Sequence, residues 1–241
     1  MNNRSQSNNP WRHFERSEES KKARHVDPIP SFLLPRRRDQ ADGKRIAFTL
    51  LELLSVLAIL GILAALLFPA VGSARRAANR AKTKVQFAQW SAAIESFRGE
   101  YGFYPAFDPG NLVNGGVTAT EHPFHDLLTA KLRDGTGLTS GSAAAAQNRK
   151  AISFYSFSEA DFTPDGLIRD AFDNTAIVVL VDKDLDGVIR PGADFTALPE
   201  VGGMTPTSAD FPAGGVRAGV VFYAPAPGAT AANPEFIFSW K

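Results

Sequence analysis

One stretch of this chain, residues 48–71 with the sequence FTLLELLSVLAILGILAALLFPAV, is apolar almost without interruption, and its one ionisable side chain is Glu52. An α-helix rises about 1.5 Å per residue, so about twenty such residues cross the ~30 Å hydrocarbon core of a bilayer. A carboxylate at the centre of such a helix costs roughly 2.5–3.5 kcal/mol. The stretch therefore predicts one transmembrane helix, in which Glu52 either reaches water at the membrane face or meets a cation.

The start of this stretch, KRIA followed by FTLLELLSVLAILGILAALLFPA, resembles the prepilin-type cleavage and methylation signature of type IV pilins and type II secretion pseudopilins. The resemblance implies that prepilin peptidase cuts between Ala47 and Phe48 and that the new amino group of Phe48 is methylated. It also implies that Glu52 is the acid retained in the membrane segment. Gly61 and Pro69 stand where the family commonly has them, whereas Ala47 replaces the usual Gly.

A physical reason for this signature lies in the charges that it brings together. Cleavage before Phe48 creates an α-amino group, which is normally cationic near neutral pH. In a bundle of parallel subunits, we expect Glu52 of one chain to pair with that amine of a neighbour, because lipid would leave both groups unpaired. The pairing would favour assembly in one register.

Charge is distributed unevenly along the chain. Residues 1–47 contain eleven Lys and Arg against six Asp and Glu, whereas the chain from residue 85 onward contains ten against eighteen. The first segment lacks a sustained apolar period and is typical of an unstructured leader. The acidic remainder lacks the basic surface expected of a protein that binds nucleic acid. Because the chain has no cysteine, disulfides and cysteine metal sites are excluded.

Basic residues flank the apolar stretch on both sides, at positions 36, 37, 38, 44 and 45 before it and 75, 76, 80, 82 and 84 after it. The excess of cations on the cytoplasmic side that orients most membrane helices therefore does not decide the orientation of this one. An exported carboxy-terminal domain is implied by the family resemblance.

After the apolar stretch, two stripes of residues recur at helical spacing, and we predict that the helix resumes beyond Pro69 and ends near Gly99 and Gly102. The small stripe comprises Ala74, Ala78, Ala81, Val85, Ala88 and Ala92, and the bulky stripe comprises Phe87, Trp90, Ile94, Phe97 and Tyr101. The bulky stripe suits a sheet packed on the helix, and the small stripe suits close approach of other helices. The alternative is one broad core face that includes both stripes.

Further along, short segments rich in Val, Ile, Phe and Tyr alternate with Gly and Pro. Residues 152–157, 176–181, 217–223 and 235–240 are the predicted strands, in an antiparallel sheet of three to five strands against the outer half of the helix. Residues 122–132 are predicted to form a short helix, and residues 134–147 a loop rich in Gly, Ser and Ala. His122 and His125 are interpreted as a satisfied surface pair.

The segment after the second predicted strand has the spacing of a calcium-binding loop. Asp182, Asp184 and Asp186 alternate and are followed by Gly187, which permits a sharp turn, and by the backbone carbonyl of Val188. The twelfth position of an EF-hand loop, normally Glu, is Ala193 here, with Asp194 one place later. An acidic Asp-Gly turn between two strands has the same sequence. Calcium use by pseudopilins in this part of the fold favours the metal site, with Asp194 as a further ligand.

These observations predict an α+β, pilin-like chain with a leader at 1–47, a transmembrane helix at 48–71, an exported continuation of that helix at 72–100 and a loop-rich β domain at 101–241. No P-loop, GxSxG, HExxH or dinucleotide fingerprint occurs, which favours a structural role over an enzymatic one. The resemblance implies a bacterial inner-membrane protein with a periplasmic domain. As a pseudopilin it would form a filament with sibling pseudopilins on the inner-membrane platform of a type II secretion system. A type IV pilin of a surface filament and a signal-anchored, calcium-binding exported enzyme or receptor remain as alternatives.

Overall fold

One long helix organises the computed structural model, which describes residues 48–107 and 110–241. This helix, α1, spans Leu50–Tyr101 and its 52 residues extend about 78 Å. It continues through position 69, so the predicted resumption beyond Pro69 is confirmed. The end near Gly102 is also confirmed, because Gly102 has a φ of 81° and its N–H donates to the carbonyl of Arg98 at 2.7 Å. This left-handed conformation, which ends many helices, is open to Gly at no steric cost.

Three short strands form the sheet. They are β1 (Val178–Val181), β2 (Val220–Pro225) and β3 (Phe236–Phe238), arranged in the order β1-β2-β3 with both neighbouring pairs antiparallel. The register places Val181 opposite Val220 and Tyr223 opposite both Val178 and Phe238. The predictions for 176–181, 217–223 and 235–240 are confirmed with shifted ends, and so is the α+β, pilin-like arrangement.

Both faces of this sheet are buried, since successive side chains of a strand point to opposite faces. On the face toward α1 lies the helix-side cluster, which includes Val179, Val181, Phe222, Ala224 and Ile237 from the strands. On the other face lies the loop-side cluster, in which Val178, Leu180, Val221, Tyr223, Phe236 and Phe238 are covered by Ile189, Phe195, Val201, Met204 and Phe211. The sheet is therefore a middle layer between a helix and a thick cover of loops.

The outer half of α1 faces this sheet with the bulky stripe. Phe87, Trp90, Ile94 and Phe97 are completely buried, and Phe87 stacks on Phe222 with ring centroids 5.4 Å apart. Every residue of the small stripe is exposed. The prediction of two separate faces is confirmed, and the alternative of one broad core face is wrong. A spacing of 100° per residue explains the result, because it puts the centres of the two stripes about 180° apart on the helix.

Two local predictions need correction in their bounds or content. The predicted short helix is α2 (Pro123–Thr129), and the predicted loop 134–147 ends in a further helix, α3 (Ala143–Gln147), whose alanines favour helix and whose first turn is capped by the side chain of Ser142. A short 3₁₀ turn follows at Glu159–Asp161.

The strand predicted at 152–157 is wrong. The N–H groups of Phe154 and Tyr155 both donate to the carbonyl of Leu128, at 2.8 and 3.1 Å, instead of to a neighbouring strand. The side chain of Asn148 binds both the N–H and the carbonyl of Ile152. The aromatic side chains of this segment pack on the helix-side cluster, so their β-forming composition reflects burial against helices.

Candidate functional site

The predicted processing segment lies at the amino-terminal end of α1. Phe48 is 71% exposed and lies two residues before the helix, and Glu52 lies on the exposed surface of its first turn. The backbone carbonyl of Glu52 accepts a hydrogen bond from Ser55 Oγ at 2.9 Å. Ala47, the other predicted processing residue, lies outside the described residues. Cleavage at this place and methylation of Phe48 therefore stay predictions.

The apolar part of α1 buries none of its large side chains. Between positions 48 and 71 they are 45 to 82% exposed: Phe48, Leu50, Leu51, Leu53, Leu54, Val56, Leu57, Ile59, Leu60, Ile62, Leu63, Leu66, Leu67, Phe68 and Val71. Burying one such side chain is worth roughly 1.5–3 kcal/mol, so water is an unfavourable environment for this surface. Among the described residues α1 is the one helix long and apolar enough to cross a membrane, and it fits a single-pass anchor.

The acidic loop after β1 brings three of the five predicted ligands together. Carboxylate oxygens of Asp182, Asp184 and Asp194 lie within 4.8 Å of one another. Calcium binds oxygens at 2.3–2.6 Å, so oxygens at this separation fit around one ion. Asp182 and Asp194 are 2% and 3% exposed, and Asp184 faces solvent. The three carboxylates are therefore suitable ligands for a hard cation, and the site is open to solvent on the side of Asp184.

Hydrogen bonds within the chain hold these carboxylates in place. Asp182 Oδ2 accepts from the N–H of Gly187 at 2.7 Å, and Asp194 accepts from the N–H groups of Lys183 at 2.6 Å and Arg190 at 2.8 Å. Leu185 and Gly187 both have positive φ, which makes the tight turn that the Asp-Gly spacing predicts. No helix flanks this loop in the described chain, as the sequence indicates.

Arg190 supplies a cation that sequence reasoning missed. Its guanidinium pairs with the carboxylate of Asp186 and lies 3.5 Å from Asp184 Oδ2. Asp186 is thereby directed to Arg190 and away from the three convergent carboxylates, while Asp186 Oδ1 accepts from the N–H of Val188 at 2.8 Å. A signal for this pairing exists in the sequence, because Arg190 follows Asp186 by four residues. The loop is thus partly neutralised by its own chain.

The two histidines are satisfied, as predicted, but they are not on the surface. His122 is 1% and His125 8% exposed. The ring of His122 lies 3.0 Å from Asn114 Oδ1 and accepts from the N–H of His125, while the ring of His125 lies 2.8 Å from Asp126 Oδ1. His122 caps α2, whose first residue is Pro123, a combination that sequence reasoning missed. Burial, and then His125, lower the pKa of His122 to about 4.

Comparison with known proteins finds a known sequence motif in the amino-terminal part of this chain. Residues 43–68 match the family model of the prokaryotic N-terminal methylation motif. A search of curated proteins found no match, and a search of solved structures found none either. The matched residues run into an apolar helix whose outer half carries a three-stranded antiparallel sheet. Motif, helix and sheet together are consistent with a type IV pilin or pseudopilin.

Proposed function

We propose that this chain is a structural subunit of a type II secretion pseudopilus. Prepilin peptidase removes residues 1–47 by cutting between Ala47 and Phe48, and Phe48 becomes the methylated amino terminus. Before assembly the subunit is anchored in the inner membrane with its sheet domain in the periplasm. It then joins like copies and sibling pseudopilins in a filament on the inner-membrane platform, which aids export of proteins.

The contrast between two surfaces of α1 carries this proposal. Its first half leaves every large apolar side chain exposed, and the small stripe of its second half is exposed opposite the buried bulky stripe. The first surface suits lipid before assembly and other helices after it. The second permits helices to approach closely, because small side chains let backbones come together. A filament core of parallel α1 helices uses both surfaces.

The charge pair at the start of α1 would set the register of that core. The new α-amino group of Phe48 is a cation in an apolar surrounding, and Glu52 is the acid within reach of it on a neighbouring subunit. We expect Glu52→Ala to insert into the membrane normally and to fail in filament formation. Glu200→Ala, which removes an exposed carboxylate of the sheet domain, is the control and should assemble.

Mass spectrometry of the protein isolated from membranes tests the processing step directly. We expect a chain that begins at Phe48 with an N-methyl group. An uncut chain that remains a monomer would contradict the proposal and favour a signal-anchored exported protein of another class. Deletion of the gene then separates the two filament types: loss of protein secretion supports the pseudopilus, and loss of a surface filament with intact secretion supports a type IV pilin, for which the same motif and helix would serve.

We further propose that the loop after β1 binds calcium through Asp182, Asp184 and Asp194. In support, the three carboxylates converge, and two of them are buried where a bound cation would offset their mutual repulsion. Arg190 competes for Asp184, so calcium must displace part of this ion pair. Asp186 and the carbonyl of Val188 would join the ligand set only after such a rearrangement.

Thermal melting of the full chain in detergent tests calcium binding. An ion at 100 times its Kd stabilises the folded state by about 2.7 kcal/mol, so we expect a clear rise of the Tm in calcium relative to chelator. Asp184→Ala should abolish the rise, and Asp165→Ala, at an exposed carboxylate outside the loop, should keep it. Arg190→Gln should enlarge the rise because it removes the competing cation. Equal melting in calcium and chelator would contradict the site.

A further inference from the structure

A short basic segment of α1 follows the apolar stretch. Residues 72–84 contain no Asp or Glu and five cations, Arg75, Arg76, Arg80, Lys82 and Lys84, which we call the basic collar. Cations on the exported side of a membrane helix run against the usual bias toward cytoplasmic positive charge. A collar at this place therefore calls for a partner with negative charge.

Two of the five cations are engaged with the sheet domain. Arg80 pairs with Glu235 next to β3, and Lys84 donates to the backbone carbonyl of Lys241 at the carboxy terminus. These contacts tie the domain to the helix above the apolar stretch. Arg75, Arg76 and Lys82 are exposed and have no ion pair or hydrogen-bond partner within residues 48–107 and 110–241. They are the cations available to an external ligand.

The position of these cations along α1 decides which ligand they meet first. Arg75 and Arg76 lie four and five residues beyond Val71, a distance of about 6–8 Å along the helix axis. The headgroup layer of one leaflet is itself roughly 5–8 Å thick. Helical side chains lean toward the amino terminus of their helix, which here is the membrane side. Both guanidinium groups thus reach the level of the phosphates, whereas Lys82, about 16 Å beyond Val71, remains above it.

We propose that the basic collar binds the headgroups of anionic phospholipids, with Arg75 and Arg76 on the phosphates and Lys82 in the diffuse field above them. The proposal rests on the membrane-anchored role of α1 given above. The acidic surface of a second copy is another possible partner by charge, since the chain from residue 85 onward has eighteen Asp and Glu. Lipid is favoured because the collar follows directly on the surface that requires hydrocarbon.

This contact would give the subunit a function before assembly. Each cation near an anionic leaflet strengthens attachment by about fivefold, so two of them hold the anchor at a defined depth. Arg80 and Lys84, tied to Glu235 and Lys241, place the sheet domain just above the lipid surface. A subunit that leaves the membrane for a filament must give up the headgroup contacts, and the collar therefore opposes premature extraction.

The full chain in detergent, offered equal amounts of phosphatidylglycerol and phosphatidylcholine, tests the proposal. Native mass spectrometry counts the lipids that each protein molecule retains. We expect the unaltered chain to retain phosphatidylglycerol in at least fivefold preference, and Arg75→Gln/Arg76→Gln to lose most of it. Arg75→Lys/Arg76→Lys should keep the preference, because a lysine binds phosphate as a point charge. Lys82→Gln should lower it less, and excess inorganic phosphate should not displace the lipid.

The matched control removes two exposed arginines of the sheet domain, Arg149→Gln/Arg217→Gln. Equal loss of preference in this control, or no preference in the unaltered chain, would overturn the collar. So would a result in which Arg75→Gln/Arg76→Gln keeps the lipid preference but reduces cross-linked dimers, since the partner would then be a second copy. Resistance of the chain to alkaline extraction from vesicles reports separately on the anchor: its loss refutes the membrane helix, whereas extraction resistance without lipid preference refutes only the collar.

Discussion

Both halves of α1 contain large apolar residues, and most of these residues have opposite surroundings in the two halves. In the inner half, residues 50–71, apolar side chains cover the whole circumference and all the large ones are exposed. In the outer half the large apolar residues other than the exposed Val85 keep to one stripe, and that stripe packs under the sheet. Phe68 is 79% exposed and Phe87 is completely buried on the same helix. The position of an apolar residue along and around this helix therefore decides whether it packs in the domain or is left for an external partner.

The largest expected effect comes from exchanging one phenylalanine in each half. Phe87→Ala removes a ring that stacks on Phe222, and a large-to-small change of this kind in a core costs about 3–5 kcal/mol of unfolding free energy. Phe68→Ala should leave the unfolding of the sheet domain unchanged, because its ring contacts no part of that domain's core. Denaturant unfolding of the full chain in detergent, followed by near-UV circular dichroism, measures both. Equal destabilisation would break the comparison between the halves.

Acid should weaken the folded domain through His122, which caps α2. The imidazole of His122 has a pKa of about 6.5 in the unfolded chain and a pKa of about 4 in the folded chain. Between these two pH values the unfolded chain binds the proton and the folded chain does not. The contribution of neutral His122 is thus complete above pH 6.5 and is lost as the pH falls toward 4, by about 3 kcal/mol in total.

Replacing this histidine by a residue that does not titrate provides the control. His122→Asn can still cap α2, so we expect a variant that is less stable than the unaltered chain at pH 7. The difference in unfolding free energy between the two chains should shrink by about 3 kcal/mol at pH 4, because only the unaltered chain is destabilised by protonation of His122 in its unfolded state. A constant difference in unfolding free energy between the two pH values would show that His122 is not the group responsible.

A smaller effect is expected where the outer end of α1 meets the segment before β2. Tyr104 Oη donates to both carboxylate oxygens of Glu95, at 2.8 and 2.9 Å, directly over Gly219. A Cβ atom at Gly219 would overlap the Tyr104 hydroxyl and a Glu95 oxygen, so Gly219→Ala should cost about 2–3 kcal/mol through overpacking and a displaced hydrogen bond. Gly214→Ala is the matched control, because a Cβ there meets nothing within 4 Å. Similar melting of the two variants would contradict this close approach.

The parts of the fold that were predictable from sequence are those set by local period. The bulky stripe and the apolar run of β1 follow from spacing, and the methylation motif from a contiguous signature. The prediction of a strand at 152–157 was wrong because the aromatic residues of this segment pack on helices. The carbonyl of Leu128 accepts hydrogen bonds from two of its N–H groups. Burial of both sheet faces was not readable, since the cover over the second face comes from loops without regular period.

Within the candidate site, the sequence predicted that Asp182, Asp184 and Asp194 contribute to one group, and the structure brings these three carboxylates together. The sequence analysis did not predict that Asp186 would pair with Arg190, because that pairing depends on the path of the chain after Gly187. Gly219 is a further example, because its requirement for no side chain arises from Tyr104 and Glu95, which lie more than one hundred residues earlier in the sequence. Contacts of this kind are set by tertiary structure, and local sequence carries no record of them.

The smallest expected effect on stability is also the sharpest test of the exposed small stripe. Ala81→Leu/Ala88→Leu adds bulk on the face opposite the sheet, where both positions are exposed, so unfolding free energy should change by less than about 0.5 kcal/mol. Leu and Ala both favour helix, and the helix itself should persist. Filament yield, measured by electron microscopy and cross-linking, should fall strongly because the added side chains keep neighbouring helices apart. Ala231→Leu, at an exposed loop position of the sheet domain, controls for added apolar surface and should assemble normally. Normal filaments from Ala81→Leu/Ala88→Leu would mean that the small stripe faces solvent in the assembly, and the contact between subunits would then have to lie on the inner half of α1 alone.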